Sequence, residues 1–283
     1  MKLALCTLVL NEMEWLPKLY EQHKNWPGLV EWVFVEAADK VYAETNPELV
    51  SADGLSVDGT TEYLTRLAAS DKRITHIKYG FTKHEDPALG KVAARQAYLD
   101  YLVDIRPEFI MILDADEFYM QADQSIINNI MESEDSSTRH FCFQFTHPWH
   151  PACIQEEPLF TLEVVGGFWD MRHTKGIRWS TGLRYAGNHQ RPEDPDLAGN
   201  LKFYSEPSCI HMAFAASHTL RKAKNDYYKA RGEAADRRRR WYCESRSMFE
   251  TWKPGDSLPR GAEVKWYRGP IPECFINEEK SNV

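Results

Sequence analysis

The sequence contains no run of about eighteen or more apolar residues, which argues against a membrane-spanning helix. It contains no C-x-x-C pair. Six cysteines stand apart at positions 6, 142, 153, 209, 243 and 274. No compact metal or redox pair follows from that spacing, and the pattern suits core thiols in a reducing, cytoplasmic setting. A positive charge balance is also missing: 34 Lys and Arg face 42 Asp and Glu, a formal net charge of −8. General nucleic-acid binding works by neutralising phosphates, so no nucleic-acid partner is expected. There is no internal repeat or low-complexity tract, and no glycine-rich loop follows the first apolar run. The opening "MKLALCTLVLNEMEW" has one lysine and an apolar run over 3–10. Asn11, Glu12 and Glu14 then follow at once, without a small-residue cleavage site. A first strand is expected there rather than a secretory leader.

What is present is enough apolar material for a large core, 43% of 283 residues, and an orderly alternation of elements. A continuous apolar run of strand length occupies 3–10, and further strands are expected at 30–37, 74–81 and 109–118. Such runs suit strands covered on both faces. Helical spacing separates them: Trp15, Leu16, Leu19 and Tyr20 in the first interval, a helix from near Thr60 in the second, and residues 88–104 in the third. Alternating strands and helices predict an α/β fold, a mostly parallel open sheet with helices on both faces. Ligands in such sheets bind at the carboxyl ends of the strands. After residue 120 the expected order is a helix over 124–133, a strand within 137–149 and short aromatic-rich strands and turns over 166–192. A strand within 207–216 leads into a helix from about 217 to 240, and the proline-rich tail over 250–283 is expected to be irregular.

Asp114 and Asp116 stand in "MILDADEF", at the carboxyl end of the fourth strand. On an extended strand, side chains two apart share a face. Two carboxylates so placed can hold a hard cation such as Mg²⁺ or Mn²⁺, whose open positions suit phosphate oxygens, and without a cation they repel. Glu117 would point the other way. D-x-D also marks the first strand of haloacid dehalogenase phosphatases, but the first strand here carries "CTLVLNE".

Four segments, in order, resemble family 2 glycosyltransferases: "TLVLNEMEWL", "FVEAAD…LSVDGTTEYL", "GKVAARQAYLDYL" and "MILDADEF". They cover residues 3–120. The resemblance implies a GT-A, Rossmann-like fold, a UDP- or GDP-linked sugar donor and Mn²⁺ or Mg²⁺. Carried over by position, Thr7, Leu8, Asn11 and Glu12 lie at the nucleotide, with Glu36 standing where the family usually has Asp. Asp58 follows in the "S-x-D-G-T" turn, and Lys91 and Arg95 come near base or phosphate. Asp114 and Ala115 lie near the ribose. Asp114 and Asp116 serve the metal. The family's second-strand turn is compact, whereas about twenty residues separate Glu36 from Ser56 here.

Sugar transfer needs a stabilised leaving diphosphate, a base for the acceptor hydroxyl and an acceptor held in line. His211 in "CIHMAF" is the expected third metal ligand, with His218 as the alternative. Asp170 in "GGFWDMRH" is the expected base, with Glu163 behind it. Trp149, Trp169, Trp179 and Tyr185 are candidates for stacking on sugars. Residues 217–246 hold ten basic and four acidic residues, a local +6 that leaves −14 for the remainder. That segment is expected either to meet diphosphate, an acidic acceptor or an anionic membrane surface, or to be a solvated face with pairs such as Glu233–Arg237. The expected layout is a GT-A domain over 1–215, with a nucleotide-sugar half (1–120) and an acceptor half (121–215). A basic helix and C-terminal extension (216–283) pack on it. The expected function is metal-dependent inverting transfer of a sugar to a glycan or lipid-linked saccharide. A sugar nucleotidyltransferase and a non-catalytic glycan-binding protein are the alternatives.

Overall fold

The first apolar run forms strand β1 (Leu3–Val9), and its side chains divide between two faces, as successive residues of an extended chain must. Leu3, Leu5 and Val9 enter one apolar cluster, and Ala4 and Cys6 another. Strand β2 (Leu29–Ala38) repeats the division, with Trp32 and Phe34 on the first face and Val33 and Val35 on the second. Helices α1 (Leu16–His23), α3 (Thr60–Ser70) and α5 (Gln121–Ser133) cover the first face through Leu16, Leu19, Leu64, Leu67, Ile127 and Met131. Helix α4 (Pro87–Ile105) covers the second through Ala94, Tyr98, Leu99 and Leu102. A fully buried Leu, Val, Ile, Phe or Met among them contributes about 1.5–3 kcal/mol of apolar transfer. The apolar character of β1 and β2 thus reflects strands covered on both faces.

The computed structural model describes residues 1–84, 86–146, 148–149, 162–165, 172–186, 191–197, 199–212, 218–230, 263–266 and 272–276. The remaining strands are β3 (Ile74–Phe81), β4 (Phe109–Ile112), β5 (Glu117–Phe118), β6 (Thr138–Thr146), β7 (Pro148–Trp149), β8 (Leu162–Val165), β9 (Arg172–Arg178), β10 (Asn200–His211) and β11 (Glu263–Trp266). Eight of them form one open sheet in the order β3-β2-β1-β4-β9-β6-β10-β5. The first four are mutually parallel, and so are β6 and β10; β9 and β5 run antiparallel to their neighbours. The sheet is the mixed, mostly parallel α/β sheet expected from the alternation, with helices on both faces. Strands β11, β8 and β7 form a separate three-stranded sheet.

Three elements depart from expectation. The fourth strand ends at Ile112 instead of continuing through the acids. The segment between Glu36 and Ser56 is not a plain loop: it carries α2 (Lys40–Thr45) and a 3-10 turn (Pro47–Leu49). Asp39 caps α2, its Oδ1 accepting from the Tyr42 amide at 2.9 Å. Gly54, at φ +80°, lets this insertion lie directly on β3, since a Cβ there would sit 2.4 Å from the Phe81 amide nitrogen. Finally, β9 wedges between β4 and β6, where only short strands and turns were expected. The basic stretch forms α6 (His218–Ala230), and the tail includes α7 (Glu273–Ile276). No described helix is long and apolar enough to cross a membrane.

Candidate active site

A cavity of about 370 Å³ opens at the carboxyl ends of β1, β2 and β4, where open α/β sheets bind ligands. Each element delivers side chains to it by ending there. Leu8, Asn11 and Glu12 come from β1 and the turn after it. Asp39 follows β2, Lys91 and Arg95 project from α4, and Asp114, Ala115 and Asp116 follow β4. His211 closes β10, and α6 adds Lys224, Tyr227 and Tyr228. Residues 8, 11, 12, 91, 95, 114, 115, 116 and 211, drawn from separate places in the sequence, therefore share one cavity.

The acids are held in a tight turn, not on an extended strand. The Leu113 amide still donates to Cys6 O (3.0 Å), and the chain then turns so that the Glu117 amide donates to Asp114 O (3.1 Å). The Glu117 carboxylate accepts from the Asp114 amide at 2.9 Å and closes the turn from inside. The shared face expected for Asp114 and Asp116 is lost, and the two carboxylates meet different partners. Asp114 accepts from Arg95 Nη2 at 2.8 Å and lies 3.9 Å from Lys175 Nζ. Asp116 Oδ2 lies 3.6 Å from His211 Nε2 and 4.0 Å from Lys224 Nζ. The Met212 amide donates to the Asp116 carbonyl at 2.7 Å, which fixes the turn against the end of β10. Burial opposes ionisation of Asp114, but Lys175 and Arg95 outweigh it and hold the carboxyl well below its usual range. Asp116 is likewise ionised against its burial, by His211 and Lys224.

Thr7, Glu36, Asp58 and Tyr185 do not line the cavity, whereas Asn11 and Glu12 line it from the turn after β1. Thr7 turns into the core, where its Oγ1 accepts from Trp32 Nε1 at 3.0 Å. Glu36 is fully buried and receives the Ser56 amide (2.8 Å) and the Thr61 hydroxyl (2.6 Å), with His76 at 2.9 Å. Its carboxylate is consumed in tying β2 to α3 and β3. Asp58 accepts from the Thr60 and Met13 amides, at 3.0 and 2.9 Å, so it organises the entry to α3 and the turn after β1. Asn11, at φ 55°, bridges the insertion by donating to Leu49 O (2.6 Å) and accepting from the Val57 amide (3.0 Å). Burial, then Asp116, lifts the Glu12 carboxyl well above its usual range. Tyr185 is buried and shares a 2.5 Å contact with the Tyr98 hydroxyl, facing the core. Asp170 and Trp169 lie outside the described residues, as do the side chains of Glu163, Trp149 and His218.

No family model matches the sequence, and no curated protein does. Among solved structures, S. aureus TarS residues 1–349 align over 96% of this chain and 98% of theirs, at 11% identity and a TM-score of 0.42. The mannosyltransferase PcManGT from Pyrobaculum calidifontis, in complex with GDP-Man and Mn²⁺, aligns over 89% of this chain and 66% of its own, at 13% identity and a TM-score of 0.41. Against a longer TarS structure the chain spans 38% of that protein's length, at a TM-score of 0.38. Likeness at this level carries no conclusion about chemistry.

For a metal, the geometry offers less than expected. Among the described residues no three His, Cys, Asp or Glu side chains come together as an ion site. Asp114, expected as a ligand, pairs with Arg95 at 2.8 Å and has Lys175 at 3.9 Å, while its side chain stays 39% exposed in the cavity. Asp116 and His211 remain, a carboxylate oxygen and an imidazole nitrogen that fit part of a coordination sphere. Small divalent ions commonly take only one or two protein donors and fill the rest with substrate phosphates and water.

Three contributors, Lys175, Tyr42 and Tyr227, carried no sequence signal of their own, and a fourth, Asp39, stands inside "FVEAAD", where the expectation fell on Glu36. Lys175, 5% exposed, reaches Glu117 at 2.6 Å from the middle of β9. It sits in "RHTKGIR", whose pairing with β4 no local pattern announces. Asp39 and Tyr42 lie in the insertion, and Tyr227 lies on α6. The Tyr227 hydroxyl donates to Asp39 Oδ2 at 2.8 Å, and the Tyr42 and Tyr227 rings meet edge to face at 5.5 Å.

Proposed function

We propose that this chain is a glycosyltransferase of GT-A type that moves a sugar, with inversion, from a UDP- or GDP-linked donor to a hydroxyl of a glycan or lipid-linked saccharide. One observation carries the reading: the D-A-D acids, His211 and the cations Lys91, Arg95 and Lys224 converge on one cavity at the carboxyl ends of parallel strands. A cavity with mixed charge suits a ligand that is anionic and rich in oxygen, as a nucleoside diphosphate is.

The roles follow from the contacts. Asp39 lines the cavity where Glu36 does not, so Asp39 takes over as the carboxylate acceptor for base or ribose. Asn11 and Leu8 shape the wall beside it. Arg95 holds Asp114 in place and leaves it aimed at the ribose side. Asp116 and His211 would hold Mn²⁺ or Mg²⁺, which supplies positive charge to the leaving diphosphate. Lys91 and Lys224 add protein charge to the same group. We assign the base to Asp170, and contact with an anionic membrane surface on the cytoplasmic side to the basic segment that begins with α6.

The test is thermal shift with UDP, GDP and CMP, each with and without Mn²⁺. A shift with one nucleoside diphosphate that grows with Mn²⁺ is expected; silence toward all of them sinks the reading. Asp116→Ala is expected to abolish the Mn²⁺-dependent part and leave the melting temperature of the free protein near that of wild type. Asp170→Asn is expected to bind the nucleotide normally and to lose transfer; retained transfer rejects Asp170 as the base.

A further inference from the structure

Of the four carboxylates that line the cavity, Glu12 lies within the field of Asp116 and Lys224, and Asp39, Asp114 and Asp116 have partners that differ in how firmly they are fixed. Asp114 is neutralised by Arg95 and Lys175, which are 8% and 5% exposed. These cations stand on α4 and β9, within the packed layers, and cannot move without opening the core. Asp39 is held by the Tyr227 hydroxyl and the Tyr42 amide. Asp116 differs. Its lysine partner is Lys224, whose side chain is 44% exposed and stands on α6, outside the sheet. The oxygen that Lys224 approaches at 4.0 Å is Oδ2, and His211 Nε2 lies 3.6 Å from that same atom.

An ammonium group and a divalent ion at one carboxylate oxygen repel each other strongly. Lysine is suited to leaving, because it is a point charge on a flexible stem and is not locked by a planar fork of donors. We propose that Lys224 is an exchangeable counter-ion. It neutralises Asp116 while the cavity is empty, yields that carboxylate when a divalent ion is taken up beside His211, and turns to the donor's diphosphate. This rests on the metal-dependent donor reading given above and adds a linkage to it. Lys224 opposes uptake of the ion alone and favours ion and diphosphate together, so the two ligands bind with positive coupling. The helix that carries it is tethered at its Tyr227 end to Asp39, so Lys224 moves by side-chain rotation while α6 stays in place.

The experiment is a Mn²⁺ titration of wild type and Lys224→Met, followed by loss of the free-ion EPR signal, first without nucleotide and then with UDP or GDP. Without nucleotide, Lys224→Met is expected to bind Mn²⁺ about tenfold more tightly than wild type. With Mn²⁺ saturating, the variant is expected to bind the nucleoside diphosphate about tenfold more weakly. Equal Mn²⁺ affinities overturn the exchange. Tighter Mn²⁺ with unchanged nucleotide affinity overturns the turn toward diphosphate. Lys224→Arg, which keeps the charge, is expected to keep the wild-type order of affinities, and Lys224→Gln repeats the neutral test if the methionine variant folds poorly. Wild type that takes up no Mn²⁺ even with UDP or GDP present is a separate failure, because it overturns the metal-dependent reading itself.

Discussion

At the scale of single residues, three acids within four positions do three jobs, and their neighbours decide which. Glu117 is 1% exposed and serves the turn, taking Lys175 and the Asp114 amide. Asp114 faces two buried cations, while Asp116 faces a histidine and a lysine whose side chain is 44% exposed. Glu36 is buried within hydrogen bonds of its own. Burial opposes its charge, yet hydrogen bonds from His76, Thr61 and Ser56 lower its pKa to about 2 from 4.5. A depressed carboxyl stabilises the fold above its unfolded pKa and loses that contribution as pH falls through the folded value. Wild type is therefore expected to lose stability between about pH 4.5 and 2, on the order of 3 kcal/mol from this group alone. Urea unfolding at pH 6 and pH 3 checks it: Glu36→Gln is expected to start less stable and to fall less. An equal fall in both proteins assigns the acid sensitivity to other groups.

At the scale of elements, the insertion after β2 does what a compact turn could not. It brings α2 against α6, and the pair forms the cavity wall around Asp39. The contact rests on the Tyr227–Asp39 hydrogen bond, the Tyr42–Tyr227 ring pair and a longer bond from Asn46 Nδ2 to Ala223 O at 3.4 Å. Tyr227→Phe removes the strongest of these and keeps the ring. A cost of about 1–2 kcal/mol is expected, felt locally in α6. Hydrogen exchange by mass spectrometry should show faster exchange over residues 218–230 with little change in β1 or β2. Unchanged exchange would mean that α6 is held chiefly elsewhere.

At the scale of the whole molecule, the far end of the chain returns to its beginning. Helix α7 docks on α1: Gln22 donates to Glu273 at 2.6 Å and accepts from the Cys274 amide at 3.0 Å. Phe275 packs edge to face on Trp15 (6.4 Å) and Phe118 (5.1 Å). Trp15 lines the cavity, so the C-terminal helix supports the site from behind. Phe275→Ala is expected to lower stability by about 2 kcal/mol and to shift Trp15 fluorescence, read by urea unfolding and emission spectra. No loss of stability would show that α7 adds little to the fold.

Local pattern alone determined a good deal here. Strands covered on both faces must be apolar throughout, and helices between them must carry an apolar stripe, so the α/β order and the position of the acids at a strand end were legible in residues 3–120. The depth of the acid turn was not, because an extended and a turned D-A-D read the same; the Glu117 side chain folding back to the Asp114 amide decides between them. Glu36, Thr7 and Asp58 look like ligand residues in sequence, and only the fold shows the partners that their side chains take, twenty or more residues away for Glu36 and Thr7. Lys175 was invisible for the same reason. Its meeting with Asp114 and Glu117 depends on β9 entering between β4 and β6, a pairing across about sixty residues that no local periodicity encodes. Sequence placed the negative charges, and tertiary structure alone chose which positive charge answers each of them.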